Sequence, residues 1–123
     1  MRAYLLFPLL FIACAQGDGG PALQPDRFEE RLATPTAQLI DVRTPAEFAQ
    51  GHLPGAVNLD WTGGVLSAKL GELDKTTPVL LYCASGRRSA EAAAHLRSQG
   101  FADVADLAGG IHAWSDAGKT VVQ

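Results

Sequence analysis

Val79-Leu80-Leu81-Tyr82-Cys83-Ala84-Ser85-Gly86-Arg87-Arg88-Ser89, followed by Ala90-Glu91-Ala92-Ala93-Ala94, is the stretch around which the chain is organised. An apolar, β-prone run ends in a thiol, a short loop follows, and a helix-forming run begins at Ser89. Gly86 tolerates dihedrals closed to other residues, so successive backbone N–H groups between Cys83 and the first helical turn can converge as a concave anion site with the thiol at its floor. The positive end of the helix dipole, those N–H donors and the guanidinium charges of Arg87 and Arg88 all favour thiolate over thiol. Such a sulfur is a nucleophile near neutral pH. A buried cysteine closing a core strand is the plain alternative, and the loop that follows turns the balance toward chemistry.

Reading outward toward the C-terminus, Ser89 to Gln99 carries Ala93 and Leu96 on one helical face, with Gly100 closing the helix. Asp103 to Leu107 reads as a strand, Gly109-Gly110 as a turn and Ile111-His112-Ala113-Trp114 as a short final helix. Toward the N-terminus, Pro78 leads into the strand ending at Cys83, Leu66 and Leu70 stand at helical spacing behind Gly63-Gly64, and Ala56 to Leu59 reads as a strand after the turn His52-Leu53-Pro54-Gly55. Thr44 is placed as N-cap of a helix ending at Gly51, with Pro45 at its first position and Glu47 completing a capping box. Ala37 to Val42 reads as a buried strand, and Pro25 to Leu32 as an amphipathic helix burying Phe28 and Leu32, with Asp26 near its start. Strands alternating with helices predict an α/β fold: a central, mostly parallel sheet with helices on both faces and right-handed crossovers. Ligands of such sheets bind at the carboxyl ends of strands, where Cys83 stands.

Residues 1–21 read differently. Met1 to Cys14 has one basic residue, a short apolar run and a small residue before the cysteine, the pattern of a signal peptide. The run is shorter than the roughly 20 residues that span a bilayer, and Ala15 to Pro21 is a flexible tether. The small residues before Cys14 also resemble a bacterial lipoprotein signal, in which the cysteine becomes the lipid-bearing first residue, although Phe11 stands where leucine is usual. Lipidation of Cys14 and membrane attachment through it are expected, the alternatives being cleavage to a free secreted protein or a retained anchor. Each places residues 22–123, one domain with one core, in the periplasm or cell envelope. Export would permit disulfides, but a Cys14–Cys83 bridge is rejected because Cys14 lies in or beside the signal and its tether would have to reach a recessed site.

The formal net charge of −3, with no run of lysine and arginine, excludes a nucleic-acid surface. Two cysteines and three scattered histidines lack metal-ligand spacing, and neither a phosphate-binding lysine loop nor a dinucleotide glycine pattern occurs. The Arg87-Arg88 doublet stands out against this acidic background.

Three separated stretches agree in order and spacing: Asp41-Val42-Arg43-Thr44-Pro45-Ala46-Glu47-Phe48-Ala49-Gln50-Gly51-His52-Leu53-Pro54-Gly55-Ala56-Val57-Asn58, the Cys83 to Ser89 loop, and Leu107-Ala108-Gly109-Gly110-Ile111-His112-Ala113-Trp114. Together they resemble a single-domain rhodanese, over nearly the whole chain from about Pro25. The resemblance implies the three-layer rhodanese-like fold and a sulfurtransferase. In it, Cys83 takes a sulfane sulfur from an anionic donor such as thiosulfate, becomes a persulfide and passes the sulfur to a thiophilic acceptor such as cyanide or a thiol, without metal or organic cofactor. Ala84, Ser85, Gly86, Arg87, Arg88 and Ser89 would form the substrate-binding cradle. Phosphatase relatives of the cell-cycle type have a loop one residue longer, which argues against phosphatase action here.

Arg88 matches a position that is often arginine in family loops and Arg87 a more variable one at the rim. Both are read as contacts for an anionic donor, the alternative being that one is solvated or paired with an acid such as Asp41 or Glu47. Asp41 and Arg43 match the first signature and are read as a structural network beside the site, Trp114 as packing for the last helix, Trp61 as core cover and His52 as structural, with His95 and His112 on the surface. Two other classes remain: a non-enzymatic rhodanese-like module that binds partners or delivers sulfur only to a protein acceptor, and a thiol redox protein, disfavoured by the absence of a Cys-x-x-Cys pair.

Overall fold

The computed structural model describes residues 22–123, and within them the chain alternates as its sequence pattern demands. In order the elements are β1 (Ala22–Leu23), α1 (Pro25–Leu32), β2 (Gln38–Asp41), α2 (Pro45–Gln50), β3 (Val57–Asn58), α3 (Val65–Ala68), β4 (Val79–Tyr82), α4 (Arg87–Ser98), β5 (Val104–Leu107) and α5 (Gly110–Asp116), with a tight turn at Leu70–Glu72 between α3 and β4. The strands form one parallel sheet in the order β1-β5-β4-β2-β3. β4 lies at its centre and is buried on both faces, which is why its sequence is a continuous apolar run rather than an alternating one.

Alternation along the strands divides the core in two. Ile40, Val42, Leu81, Cys83 and Val104 face Leu66 of α3 and Ala92, Ala93 and Leu96 of α4. Leu80, Tyr82, Ala105 and Leu107 face the other way, onto Phe28 of α1 and Ile111 and Trp114 of α5. Ala92 and Ala93 are small, so α4 rides close over β4 and β5. Three layers result, with helices on both faces.

Local chemistry sets the helix ends. The capping box forms: Glu47 N donates to Thr44 Oγ1 at 3.3 Å and Thr44 N to Glu47 Oε1 at 3.2 Å. α4 begins at Arg87, two residues before the expected Ser89, because Gly86 takes the left-handed backbone (φ 106°) and turns the chain directly into the helix. β1 was not expected: its two residues pair with Asp106 and Leu107 and are too few to carry any periodicity. The segment after Gly64 contains a single helical turn burying Leu66, followed by the turn that half-buries Leu70. No helix among the described residues is long and apolar enough to cross a membrane; residues 1–21, with the expected signal segment and Cys14, lie outside the described residues.

The carboxyl end of β2 is fixed by a buried ion pair. Asp41 accepts from Arg43 Nε at 3.1 Å and Nη2 at 2.8 Å and from the Arg43 backbone N–H at 2.9 Å, while Arg43 Nη2 also donates to Gly51 O at 2.6 Å. Burial works against the Arg43 charge, but the Asp41 hydrogen bonds and charge outweigh it and hold the guanidinium above its ordinary value. Asn58 Nδ2 adds bonds to the backbone oxygens of Asp41 and Arg43, joining β3 to the same corner. Asp41→Ala leaves this guanidinium buried without its counter-charge and is expected to cost about 3–5 kcal/mol, read as the change in urea midpoint. A loss below 1 kcal/mol would show that the pair does not hold the corner.

Candidate active site

Cys83 follows the last residue of β4 and is 1% exposed, its sulfur turned to the α4 face of the sheet. Gly86 N donates to Sγ at 3.1 Å, and Ser89 Oγ lies 3.5 Å from Sγ. The loop Ala84-Ser85-Gly86 is thus wrapped around the sulfur at the N-terminus of a twelve-residue helix, whose dipole favours negative charge there.

The other side of the loop is held by α5. Ile111 N donates to Cys83 O at 2.9 Å and His112 N to Ala84 O at 3.2 Å, so both carbonyls are drawn toward α5. The approach is possible only because residue 110 is glycine: a Cβ there would stand 2.5 Å from Cys83 O, and the backbone is left-handed (φ 60°). The two glycines read in the sequence as a turn therefore also make room for the loop.

The two arginines of the loop differ. Arg88 is half-buried and makes a bidentate pair with Glu47, Nη1–Oε1 at 2.8 Å and Nη2–Oε2 at 2.9 Å, tying the first turn of α4 to α2. The hydrogen bond from Arg88, aided by those from Thr44, holds the Glu47 carboxyl down at about 2, and the same bond raises Arg88. Arg87 is at the rim, its side chain 89% exposed, with Glu91 at 3.8 Å. Of the remaining loop residues, Ala84 is half-buried, Ser85 exposed and Ser89 buried.

Asp41 and Arg43 lie beside the loop as an inward-facing pair, the Arg43 guanidinium 5.7 Å from the centre of the Tyr82 ring. Tyr82 Oη accepts from Leu53 N at 3.0 Å, and burial, then the neighbouring Asp41, push its phenol well above the usual value. His52 stacks on Phe48 with ring centres 3.8 Å apart. His95 packs against Trp61, itself bonded to Glu91, and Trp114 meets Phe28 edge-on. A cleft of about 600 Å³ opens beside the loop, lined by Arg43, Glu47, Gly51, Ala84, Ile111 and His112 among others. A second hollow of about 440 Å³ lies at the β2–β3 edge, lined by Gln38, Asn58, Lys69 and Glu72 among apolar residues, away from Cys83. Sequence reasoning passed over Asp106, a carboxylate in the otherwise apolar strand Val104–Leu107 that the fold brings to Ser89 Oγ at 3.3 Å. Its signal was that lone charge in an apolar run.

Comparison with known proteins agrees with this geometry. The family described as the Rhodanese-like domain matches residues 24–117. A sulfurtransferase of Allochromatium vinosum is 41% identical over 98 residues, covering 79% of this chain and 90% of the relative. The thiosulfate sulfurtransferase GlpE of Shewanella oneidensis is 38% identical over 82 residues, covering 67% and 79%. Among solved structures, the rhodanese-like domain of an Anabaena protein superposes with TM-score 0.74 at 27% identity, covering 83% of this chain and 78% of that one. A thiosulfate sulfurtransferase from Pseudomonas aeruginosa gives TM-score 0.72 at 27% identity over 84% of this chain and 20% of its own.

The Glu47–Arg88 pair has a pH signature. Because the folded carboxyl lies below its ordinary 4.5, the pair stabilises the fold above that value and the contribution is lost as pH falls toward about 2. Glu47→Gln is expected to be less stable than the parent by about 1 kcal/mol at neutral pH, the pair being solvent-screened. Thermal melts between pH 7 and pH 2 should show that gap closing on the acid side, and a gap that stays constant would remove Glu47 ionisation as its source.

Proposed function

This chain belongs to the rhodanese-like domain family, its relatives include sulfurtransferases, and on that footing we propose that it moves a sulfane sulfur from thiosulfate or a similar anionic donor to a thiophilic acceptor through a persulfide on Cys83. The observation that carries the reading is the sulfur itself, set at the N-terminus of α4 and accepting from Gly86 N while the carbonyls of Cys83 and Ala84 are bonded to α5.

The reaction is two displacements. The Cys83 thiolate attacks the outer sulfur of thiosulfate, a new S–S bond forms, and sulfite leaves with the electron pair of the old one. The terminal sulfur of the resulting persulfide is anionic and takes the place of the thiolate in the field of the loop amides and the helix dipole. An acceptor such as cyanide, or a thiolate, then attacks that outer sulfur and Cys83 leaves as thiolate, returning the enzyme to its starting state. Cys83 is 1% exposed, so an acceptor can meet the added sulfur only where it extends toward the loop mouth.

Exposure to thiosulfate without acceptor is expected to leave one extra sulfur on the intact protein. Mass spectrometry should find it removed by cyanide and absent from Cys83→Ser, which keeps the parent melting temperature. A sulfur-free protein whose turnover needs both substrates bound together would replace this mechanism with direct transfer.

The arginines divide the remaining work. Arg87, free to swing at the rim, collects the divalent donor, whereas Arg88, clamped by Glu47, shapes the loop. Arg87→Ala is expected to raise KM for thiosulfate by roughly threefold to tenfold, as for loss of a partly solvated charge contact, with little change in Tm. Arg88→Ala should lower Tm and depress turnover of charged and neutral donors alike. The reverse pattern in steady-state kinetics would exchange their roles.

A further inference from the structure

Val104-Ala105-Asp106-Leu107 puts a carboxylate in the middle of a strand whose four residues are all buried. Alternation turns Val104 and Asp106 toward α4, and Ala105 and Leu107 toward α1 and α5. Asp106 is 4% exposed, and its side chain has Ser89 Oγ at 3.3 Å as hydrogen-bond partner. A carboxylate in such surroundings, with one hydroxyl and its own backbone N–H to satisfy it, is costly to keep ionised.

The surroundings contain few charges that could compensate. From α4, Ser89 and Arg97 act on Asp106, but the Arg97 guanidinium donates to Val104 O at 2.8 Å rather than to the carboxylate. From the carboxyl end of β4 comes Cys83, and β1 contributes only Ala22 and Leu23. Burial accordingly pushes the Asp106 carboxyl up, against smaller opposing effects of Ser89 and Arg97. Ser89 joins the two ends: its Oγ lies 3.3 Å from Asp106 Oδ2 and 3.5 Å from Cys83 Sγ, with Gly86 O at 3.3 Å as the other acceptor within its reach.

We propose that Asp106, acting through Ser89, receives the proton of the Cys83 thiol. The Ser89 hydroxyl proton passes to Asp106 Oδ2 as the S–H proton passes to Ser89 Oγ. One S–H and one O–H bond break, two O–H bonds form, and no net charge is created. The negative charge moves from a carboxylate among apolar groups to a sulfur that Gly86 N–H and the α4 N-terminus receive. Afterwards the carboxylic acid donates to Ser89 Oγ and Ser89 donates to the sulfur, so the serine serves both states without moving. The inference deepens the proposed function and rests on Cys83 being its nucleophile; Asp106 touches no reacting atom and is a positioning residue of that site.

Alkylation of the full chain by iodoacetamide between pH 5 and pH 9 tests this without any sulfur donor. Asn at 106 can still accept from Ser89 but cannot take a proton, so a purely structural role predicts for Asp106→Asn a pH profile that is unchanged or, through loss of a neighbouring negative charge, moved lower. The relay predicts that the profile moves about one unit higher and that alkylation slows about tenfold at neutral pH, since the rate follows the thiolate fraction. Ser89→Ala breaks the link while leaving the carboxylate in place and should produce the same shift, and the double variant should be no slower than the slower single one. Parent-like or lowered profiles in Asp106→Asn, or losses that simply multiply in the double variant, overturn the proposal. Should Asp106→Asn fail to fold, Asp106→Ser, which likewise cannot take the proton, replaces it: a raised profile supports the relay, and a parent-like or lowered one overturns it. Normal relay behaviour in a protein that never acquires a persulfide would sink the sulfur-transfer reading and leave the proton path standing.

Discussion

Two backbone hydrogen bonds, from Ile111 N to Cys83 O and from His112 N to Ala84 O, set the geometry on which the rest of the site depends. A loop at a strand end can turn its carbonyls or its amides toward a bound anion, and binding needs the amides. Here the first turn of α5 engages the two carbonyls before any ligand arrives. α5 is held in turn by packing on the far side of the sheet, where Trp114 meets the Phe28 ring edge-on at 6.3 Å and donates from Nε1 to Thr120 O at 2.8 Å. Contacts in one half of the core thus orient a sulfur that projects into the other half.

The charges beside the sulfur are mostly cancelled by partners. Arg43 is matched by Asp41 in a buried pair and Arg88 by Glu47 in a half-buried one. What remains to attract an anion is backbone, the amides of the loop and the first turn of α4, together with the rim guanidinium of Arg87. This arrangement suits an acidic protein, because fixed backbone dipoles stay in place whether or not a ligand is bound and cost no side-chain ordering when one arrives. The paired arginines act mechanically instead, one bracing the corner of β2 and the other fastening α2 to α4.

The parts that could be read from the sequence are those whose cause is local. Thr44 and Glu47 lie three residues apart, and their reciprocal cap follows from that spacing alone. β4 announces itself as an unbroken apolar run because it is the central strand. Glu47 was named as one of two acids that could meet an arginine of the loop, but the choice between it and Asp41 depends on how α2 crosses the sheet. Asp106 was passed over for a similar reason: a carboxylate in a strand looks the same whether its neighbour is water or a serine on a helix seventeen positions earlier. β1 left no signal because two residues cannot show a period, and the start of α4 moved from Ser89 to Arg87 because Gly86, placed in the loop, became the turn itself.

The strand order has a consequence for how the chain assembles. β1, the first described element, has β5 as its neighbour, so Ala22 and Leu23 have nothing to pair with until Asp106 and Leu107 are in place. Such distant pairings carry the entropy of closing a long loop before any contact rewards it, and they slow the search for the native state. A nascent chain emerging from its N-terminus therefore displays Ala22 and Leu23 well before the strand that pairs with them has been made. Until β1 docks, β5 is an open flank of the sheet, closed only when residues 22–23 and 106–107 meet.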